Sequence, residues 1–366
     1  MAPSASPPTL RIALAGLGRM GKRHAMHLLH KVARAELIAV STPSATERDW
    51  AAEHLAPYGV RIYEGFEEML EVEEGKIQAV VVASVTTVHA DQTIRAIERG
   101  LHVLCEKPLS TDGEISRTVT AAASLHPSLK IMCGFSRRFD PSYRAAHAHI
   151  TSGAIGVPKI IRSQTCDKRD PTGFFVNFAK HSGGIFVDCS IHDIDLALWF
   201  FSAGGKGDGA RPKSAMGVGI CAIEPSLAEY GDVDNAIGVV EFYGGMVAYF
   251  YASRMMAAGQ EDSTEIVGTE GKITVALAPR VDHIEVHSPQ GVTRQVPPTF
   301  FERFEGAFVR EAEEWVGCCL EGTEVPVPLE GAVRAVEIGG ALQESLRTGR
   351  KVWWDQEGRR VERAGL

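Results

Sequence analysis

The residues best suited to do chemistry together lie in the stretch Ser182–Phe200, where an acid and a histidine share a helical spacing. Asp188 precedes His192 by four positions, just after the pair Gly183-Gly184. If a helix begins after the two glycines, side chains at i and i+4 project from one face, so carboxylate and imidazole can act as a unit. The alternative is an amphipathic helix with a polar first turn, because Asp is favoured near a helix N-terminus and the residues that follow are apolar.

A lysine is the next candidate. The predicted strand His102–Cys105 runs directly into Glu106-Lys107-Pro108. A parallel sheet binds its ligand at the carboxyl ends of its strands, and Lys107 stands at such an end. The alternative is an ordinary solvated surface charge. Its position, and the proline that stiffens the following peptide, favour a functional role.

A glycine-rich turn follows the first predicted strand. Residues 10–17 form an almost continuous apolar run, typical of a parallel strand covered on both faces. The run ends in the spacing G-x-G-x-x-G, and residues 19–31 have helical spacing. The first glycine makes the tight turn, the second lets the backbone approach a pyrophosphate, and the third lets helix pack on strand. The loop residues predicted to bind a dinucleotide are Gly16, Gly18, Arg19, Met20 and Gly21.

The second predicted strand, Leu37–Val40, ends without the acid that an NAD-selective site places on the adenosine ribose. Ser41 and Thr42 stand there instead, and Arg48 follows a few residues later. Small hydroxyls and a guanidinium leave room and hydrogen bonds for a 2′-phosphate, so the sequence slightly favours NADP over NAD. The alternative is that Ser41 merely starts a turn.

Strands and helices alternate through the first half, whereas the second half contains strand pairs and two closing helices. Repeated β-α units predict a parallel, doubly wound sheet, and the strand pairs predict an α+β domain on an antiparallel sheet. Further cofactor contacts are predicted at the strand ends of the first half, from Ser84, Thr86, His89, Glu106 and Lys107.

The composition limits the classes of partner. A formal net charge of -8 argues against a general affinity for nucleic acid or anionic membranes. No run approaches the ~20 apolar residues of a membrane span, and the N-terminal segment lacks the features of a signal peptide. The seven cysteines form no C-x-x-C pair, so neither a disulfide framework nor a metal site is indicated. We therefore expect a cytoplasmic protein whose partner is a small molecule.

Four segments resemble the glucose-fructose oxidoreductase/inositol dehydrogenase/MocA (Gfo/Idh/MocA) family, and they span about residues 10–350: AGLGRMG, CEKPLS, GFSRRFDPSY and SGGIFVDCSIHDIDLALWF. The match is closest to inositol 2-dehydrogenase-like members. Their catalytic set is the lysine of EKP with an Asp and a His four apart, which implies catalytic Lys107, Asp188 and His192. The departures are Ser41 for the common acid and Val85-Thr86-Thr87 where many members carry a proline, and these leave the cofactor subtype open.

The resemblance implies an α/β fold class, with an N-terminal Rossmann doubly wound parallel sheet and a C-terminal α+β domain on an open, mostly antiparallel sheet. We expect a loose tail over residues 1–9, a dinucleotide-binding domain over 10–137, and a substrate-binding and oligomerisation domain over 138–366. It also implies assembly into a homodimer or homotetramer.

The implied reaction is hydride transfer between NAD(P) and a secondary alcohol of a cyclic polyol or sugar. His192 would accept the hydroxyl proton, Lys107 would place positive charge beside the developing alkoxide, and Asp188 would orient them. The residues expected to contact substrate hydroxyls are Lys107, Asp167, Arg169, Asn177, Asp188 and His192, although solvated loop charges explain the stretch around Asp167 equally well. Two alternatives remain: an aldose or anhydro-sugar oxidoreductase with the same residues, and a non-catalytic dinucleotide-sensing regulator.

Overall fold

The computed structural model of the chain describes residues 8–204, 210–282 and 284–362. Most of the tail predicted over residues 1–9 lies outside these ranges. The chain divides into two compact units by contact. The first unit comprises the chain up to Ser136 together with Gly306–Val333, and the second comprises Arg137–Glu305 with the chain from Arg334 onward.

A parallel sheet forms the centre of the first unit. Its strands lie in the order β3-β2-β1-β4-β5-β6, so the order reverses between β1 and β4. Such a reversal opens a crevice at the carboxyl ends of the two strands, which is where α/β sheets bind ligands. The strands are β1 (Leu10–Ala15), β2 (Ala35–Ser41), β3 (Arg61–Tyr63), β4 (Ala79–Val82), β5 (His102–Glu106) and β6 (Ile131–Gly134).

Helices connect these strands and cover the sheet. The four residues of β4 are all buried, as expected for a strand with helices on both faces. The connecting helices are α1 (Arg19–His30), α2 (Ala45–His54), α3 (Phe66–Val72), α4 (His89–Glu98) and α5 (Gly113–Ser124). The predicted Rossmann arrangement is confirmed.

The second unit is built on an eight-stranded sheet in the order β12-β11-β7-β10-β9-β8-β15-β16. Neighbours are antiparallel except β10 and β7, which are parallel. The elements in chain order are α6 (Pro141–Thr151), β7 (Pro158–Lys168), α7 (Phe174–Ser182), α8 (Ile185–Asp188), α9 (Ile191–Ala203), β8 (Pro212–Ile220), β9 (Asn235–Phe242), β10 (Met246–Met256), β11 (Glu261–Gly268), β12 (Lys272–Val275), β13 (Val286–Ser288), β14 (Gly291–Thr293), α10 (Phe300–Glu321), α11 (Leu329–Thr348), β15 (Val352–Trp354) and β16 (Arg360–Val361). β13 and β14 form a separate hairpin.

One face of this sheet is packed and the other is open. The inward residues Val240, Ala248 and Phe250 are fully buried, and helix α9 contacts β7 and β10. Alternate residues point the other way, because side chains in a strand alternate between faces. The outward residues include a row of exposed apolar side chains, namely Ile160, Val218, Ile220, Ile237, Val239 and Val247.

Glycines in the packed face let the helices approach closely. A Cβ on Gly238 would lie 2.8 Å from the Phe186 ring, and one on Gly217 would lie 2.4 Å from the Leu342 carbonyl oxygen. These distances are too short for a side chain, so the strands need glycine here. The contact with Phe186 fixes α8 against the sheet.

The structure differs from the sequence prediction at the stretch that carries Asp188 and His192. One helix was expected after the glycine pair, but the N–H groups of Cys189 and Ser190 both donate to the Ile185 carbonyl, at 2.9 and 3.1 Å. The bond from Ser190 reaches back five residues rather than four, so it interrupts the α-helical hydrogen-bond pattern, although Cys189 and Ser190 keep right-handed backbone angles. Asp188 therefore closes α8, and His192 lies in the first turn of α9.

A second difference concerns Gly306–Val333, which the sequence assigned to the second domain. In the structure this segment belongs to the first unit. The Trp315 ring N–H donates to the Lys130 carbonyl at 3.3 Å, and the Phe308 ring meets His24 edge-on at 6.4 Å between centroids. An amphipathic pattern shows that a helix has a buried face, but not which domain covers that face.

Candidate active site

The glycine loop has the geometry that a dinucleotide requires. Gly16 has φ +87°, and a Cβ there would lie 2.5 Å from the Ser84 Cα; a Cβ on Gly21 would lie 1.9 Å from the Gly16 carbonyl oxygen. Both positions therefore exclude any side chain. A Cβ placed on Gly18, in contrast, would lie 4.0 Å from a Glu47 carboxylate oxygen, its nearest described neighbour outside the adjacent residues. Space therefore remains for a ligand beside the backbone.

Helix α1 begins at Arg19, directly after this loop. Its first turn contains no acidic residue and its N-terminus has no side-chain cap. The N–H groups of the first turn and the positive end of the helix dipole favour an anion there. The loop and helix therefore fit a pyrophosphate. Arg19 and Met20 open this helix, as predicted.

The end of β2 is arranged differently from the sequence prediction. Ser41 and Thr42 are buried, with exposed fractions of 3% and 2%. The Thr42 hydroxyl donates to the Glu47 carboxylate at 2.5 Å. The Arg48 guanidinium donates to the Thr42 carbonyl at 2.9 Å and pairs with Glu64 at 3.2 Å. The predicted pocket of two hydroxyls and a guanidinium is thus filled by contacts within the chain.

His89 lies at the ends of β4 and β5, and its ring is buried. Nδ1 is 2.8 Å from the Pro108 carbonyl and Nε2 is 3.0 Å from the Ser84 carbonyl. A neutral imidazole has one N–H, so donating to both carbonyls requires the imidazolium. Burial lowers the pKa of His89, but Cys105 and the two carbonyls outweigh it and raise the pKa to about 9. His89 therefore ties the peptide after Lys107 to the end of β4, and its ring nitrogens are directed at backbone rather than at a cofactor.

Glu106 holds the lysine's own backbone. Its buried carboxylate lies 2.7 Å from the His24 ring nitrogen and accepts the Lys107 N–H at 3.2 Å. Burial alone raises the pKa of Glu106, but His24 and Lys107 outweigh it, so the pKa is lowered and the carboxylate stays charged. Glu311 is also fully buried, and burial followed by the charge of Glu106 raises its pKa far above the usual range.

The remaining predicted residues of the first unit are more exposed. The Lys107 side chain is half-buried, and Thr86 is half-buried in a short 3₁₀ turn between β4 and α4. The hydroxyl of Ser84 donates to the Gln92 side chain. These three residues, with the glycine loop, line the carboxyl ends of β1, β4 and β5.

In the second unit, a buried arginine holds Asp188. The Arg254 guanidinium donates to the Asp188 carboxylate at 3.0 Å and to Asp232 at 3.2 Å. Arg254 is 3% exposed, and Phe175 lies against its guanidinium. Burial lowers the pKa of Arg254, but the two carboxylates outweigh it and the pKa is raised. Asp188 is thus fixed as a carboxylate by a permanent cation.

Sequence reasoning missed Arg254. The available signal was a charged residue inside the otherwise apolar strand β10, since a buried charge needs a partner. That signal does not identify the partner, which lies 66 residues away along the chain.

Helix α9, which carries His192, is fixed by a second group of buried charges. Arg137 pairs with Asp193 at 3.1 Å and with Asp262 at 2.6 Å, and Arg138 makes a two-pronged contact with Asp195 at 2.6 and 2.8 Å. The two acids that follow His192 are therefore structural. The His192 side chain itself is half-buried in the first turn.

The three predicted hydroxyl-binding residues have different surroundings. Asp167 accepts the Cys189 thiol at 3.8 Å, and burial, followed by the charge of Asp262, raises its pKa. Arg169 is exposed and lines a small cavity together with Arg254. Asn177 is exposed on α7. The structure thus brings Asp167 and Arg169 to the surroundings of Arg254, whereas Asn177 is not among the described residues that line this cavity.

Residues 8–204, 210–282 and 284–362 lack two kinds of feature. They contain no group of three or more His, Cys, Asp or Glu side chains arranged to hold a metal ion. They also contain no helix with the length and apolar composition needed to cross a bilayer.

Curated relatives match the chain over nearly its whole length. It is 34% identical to scyllo-inositol 2-dehydrogenase (NAD(+)) of Bacillus subtilis, over 94% of this chain and 96% of the relative. It is 30% identical to an inositol 2-dehydrogenase of Rhizobium meliloti, over 94% of this chain and 99% of the relative.

Solved structures agree with these relatives. Scyllo-inositol dehydrogenase from Lactobacillus casei, with bound cofactor NAD(H) and scyllo-inositol, superimposes with a TM-score of 0.87 at 32% identity, over 94% of this chain and 99% of that one. Myo-inositol 2-dehydrogenase from Lactobacillus plantarum gives a TM-score of 0.88 at 32% identity, over 95% and 100%.

Family models cover both halves. The model of an oxidoreductase family with an NAD-binding Rossmann fold matches residues 10–132, and the model of the GFO/IDH/MocA C-terminal domain matches residues 143–274. With the glycine loop, the lysine after β5 and the Asp and His four residues apart all present, the chain belongs to the GFO/IDH/MocA oxidoreductase family.

Proposed function

We propose that this protein is an inositol 2-dehydrogenase, which oxidises a secondary alcohol of a cyclic polyol with a nicotinamide dinucleotide. The support is the presence of all three candidate catalytic residues in a chain that resembles named inositol dehydrogenases along nearly its whole length. The bound nicotinamide supplies hydride acceptance, and the chain's residues supply orientation and proton transfer.

His192 takes the proton from the substrate hydroxyl in this proposal. A neutral imidazole can accept a proton from a hydroxyl, and the imidazolium can return it in the reverse direction. Its place in the first turn of α9 is held by the ion pairs of Asp193 and Asp195, so the ring is carried by a rigid element.

Asp188 and Lys107 complete the set. The observation that carries the proposal is the pairing of Asp188 with buried Arg254 at 3.0 Å. This pairing keeps the Asp188 carboxylate charged and fixes its orientation, four residues before His192 in the chain. Lys107 places its ammonium beside the developing alkoxide, and Glu106 fixes the peptide from which it projects. Asp167 and Arg169 are proposed to bind the remaining hydroxyl groups.

The cofactor proposed is NAD. The sequence slightly favoured NADP, but that argument needed Arg48 to be available to a 2′-phosphate, and Arg48 is engaged by Thr42 and Glu64. The Bacillus subtilis relative is named for NAD(+).

We also propose that the protein works in the cytoplasm as a homodimer or homotetramer that associates through the open face of the eight-stranded sheet. The row of exposed apolar residues on β7, β8, β9 and β10 supports this, since contiguous exposed apolar surface marks an interaction site. Light scattering on the wild type and on the double variant Ile237→Lys/Val239→Lys tests it. A wild type that is monomeric at micromolar concentration would contradict the proposal.

The activity is tested by the absorbance of reduced cofactor over a panel of inositols, aldoses and anhydro-sugars, with NAD and NADP in parallel. We expect turnover on inositols with NAD. If only an aldose or an anhydro-sugar were turned over, the proposed substrate would be wrong but the proposed reaction class would stand. Tight dinucleotide binding with no turnover on any polyol would favour a regulatory protein instead.

A further inference from the structure

We infer that Glu47 selects NAD over NADP by binding the adenosine ribose hydroxyls and repelling a 2′-phosphate. The inference rests on the proposed function only for dinucleotide binding. It does not depend on which polyol is oxidised.

The position of the Glu47 carboxylate is the first observation. One of its oxygens lies 4.0 Å from where a Cβ on Gly18 would stand. Gly18 is the second glycine of the loop, where the backbone approaches the pyrophosphate, and the adenosine ribose is bonded to that pyrophosphate in the dinucleotide. An NAD-selective Rossmann site needs a carboxylate at this place, normally from the end of the second strand. Here the first turn of α2 supplies it.

The second observation is how the carboxylate is held. The Thr42 hydroxyl donates to the other Glu47 oxygen at 2.5 Å, and Thr42 itself is 2% exposed. Thr42 is therefore a positioning residue for Glu47. Because it donates to one oxygen, the oxygen nearest Gly18 remains directed towards the loop.

The third observation concerns Arg48, the cation that the sequence offered to a 2′-phosphate. The Arg48 guanidinium is held by the Thr42 carbonyl at 2.9 Å and the Glu64 carboxylate at 3.2 Å. A 2′-phosphate would therefore meet the Glu47 carboxylate, whereas the Arg48 guanidinium, which could pair with the phosphate, is held by other groups of the chain. Two like charges in contact outside bulk water repel strongly. A ribose with a free 2′-hydroxyl instead donates to that carboxylate in a charge-assisted hydrogen bond.

The test is the affinity of the full chain for NADH and NADPH, measured by calorimetry without any polyol. We expect the wild type to bind NADH at least about 30-fold more tightly than NADPH. In Glu47→Gln the ratio of the NADPH dissociation constant to the NADH dissociation constant should fall to about 3 or less, mainly because NADPH binds more tightly. Thr42→Val, which keeps the buried volume but removes the hydroxyl, should give an intermediate ratio.

The matched control is Glu53→Gln, which removes an exposed carboxylate from the same helix and should leave the ratio unchanged. A wild type that binds both dinucleotides equally, or a Glu47→Gln variant with the wild-type ratio, would overturn the inference. Glu47-dependent selection of NADH without turnover on any polyol would uphold the inference and reject the proposed dehydrogenase. Failure of the folded wild type to bind either dinucleotide would reject both.

Discussion

The glycine loop of the first unit and Asp188 of the second unit are fixed by different means. In the first unit the glycine loop is shaped by close backbone contacts, such as the 1.9 Å between the Gly16 carbonyl oxygen and a Cβ placed on Gly21. In the second unit, Asp188 is held by Arg254, 66 residues away, and Arg137 pairs with Asp262, 125 residues away. One site depends on the absence of side chains, and the other on long-range pairs of buried charges.

This difference determines how each site fails. A side chain added to the loop meets backbone, which cannot move aside without opening the turn. A buried ion pair that loses one member leaves an uncompensated charge, which costs about 3 to 5 kcal/mol unless the remaining group changes its protonation. The first site should therefore be lost outright, whereas the second should persist with altered pH dependence.

The largest effect is expected from Gly21→Ala. The added methyl group would overlap the Gly16 carbonyl oxygen, so dinucleotide affinity should fall by at least about 100-fold and the melting temperature should drop. Calorimetry with NADH and thermal unfolding measure this. Gly317→Ala in α10 is the matched control, because no described atom outside its neighbours and its own helix backbone lies within 4 Å of its added Cβ. Normal NADH binding by Gly21→Ala would show that the loop tolerates a side chain.

Next in size are Lys107→Ala and His192→Ala. Each should lower kcat by about 10² or more while NADH affinity changes little, because each acts on the alkoxide or its proton. The double variant should lose less than the product of the two effects, since both serve one step. Turnover and NADH binding are measured together, with exposed His149→Ala as the control. Near-normal turnover in either variant would remove that residue from the mechanism.

A smaller effect is expected from Arg254→Met. Without the guanidinium, the pKa of Asp188 rises, so kcat should fall about 10-fold at neutral pH and the acid limb of its pH profile should move upward. Arg254→Lys keeps a cation and should restore much of the activity. If kcat of Arg254→Met fell by the same factor at all pH values and the acid limb of its pH profile did not move, Arg254 would be needed for folding rather than for keeping Asp188 charged.

The smallest effect tests whether the first unit also depends on a buried charge. The pKa of His89 is raised to about 9, so its contribution to stability is complete below the unfolded-state pKa of ~6.5 and is lost as pH rises through about 9. His89→Asn should remove roughly 1 to 3 kcal/mol of the pH-dependent unfolding free energy between pH ~6.5 and ~10. Urea unfolding at several pH values measures this, with exposed His149→Asn as the control. If the unfolding free energy of His89→Asn depended on pH as it does in the wild type, the His89 ring of the wild type would be neutral.

The fold and the loop were determined largely by local sequence. Apolar runs, glycine spacing and helical periodicity operate within about 10 to 30 residues, so they predicted the parallel sheet and the glycine turn. The predicted strands Leu37–Val40 and His102–Cys105 lie within β2 and β5. Strand β7 and the short strands β15 and β16 were not predicted, because charged residues and short length hide their alternation.

Which charged groups come together at the two sites is determined by the tertiary structure. The sequence shows Ser41 and Thr42 where an acid is expected, but only the tertiary structure brings a carboxylate oxygen of Glu47 to 4.0 Å from a Cβ placed on Gly18. The sequence shows Asp188 four residues before His192, but a helix end separates them and Arg254 from β10 holds the carboxylate. Residue type and spacing fix which groups are present. Which charges meet depends on chain segments far apart in sequence, and no local pattern records that pairing.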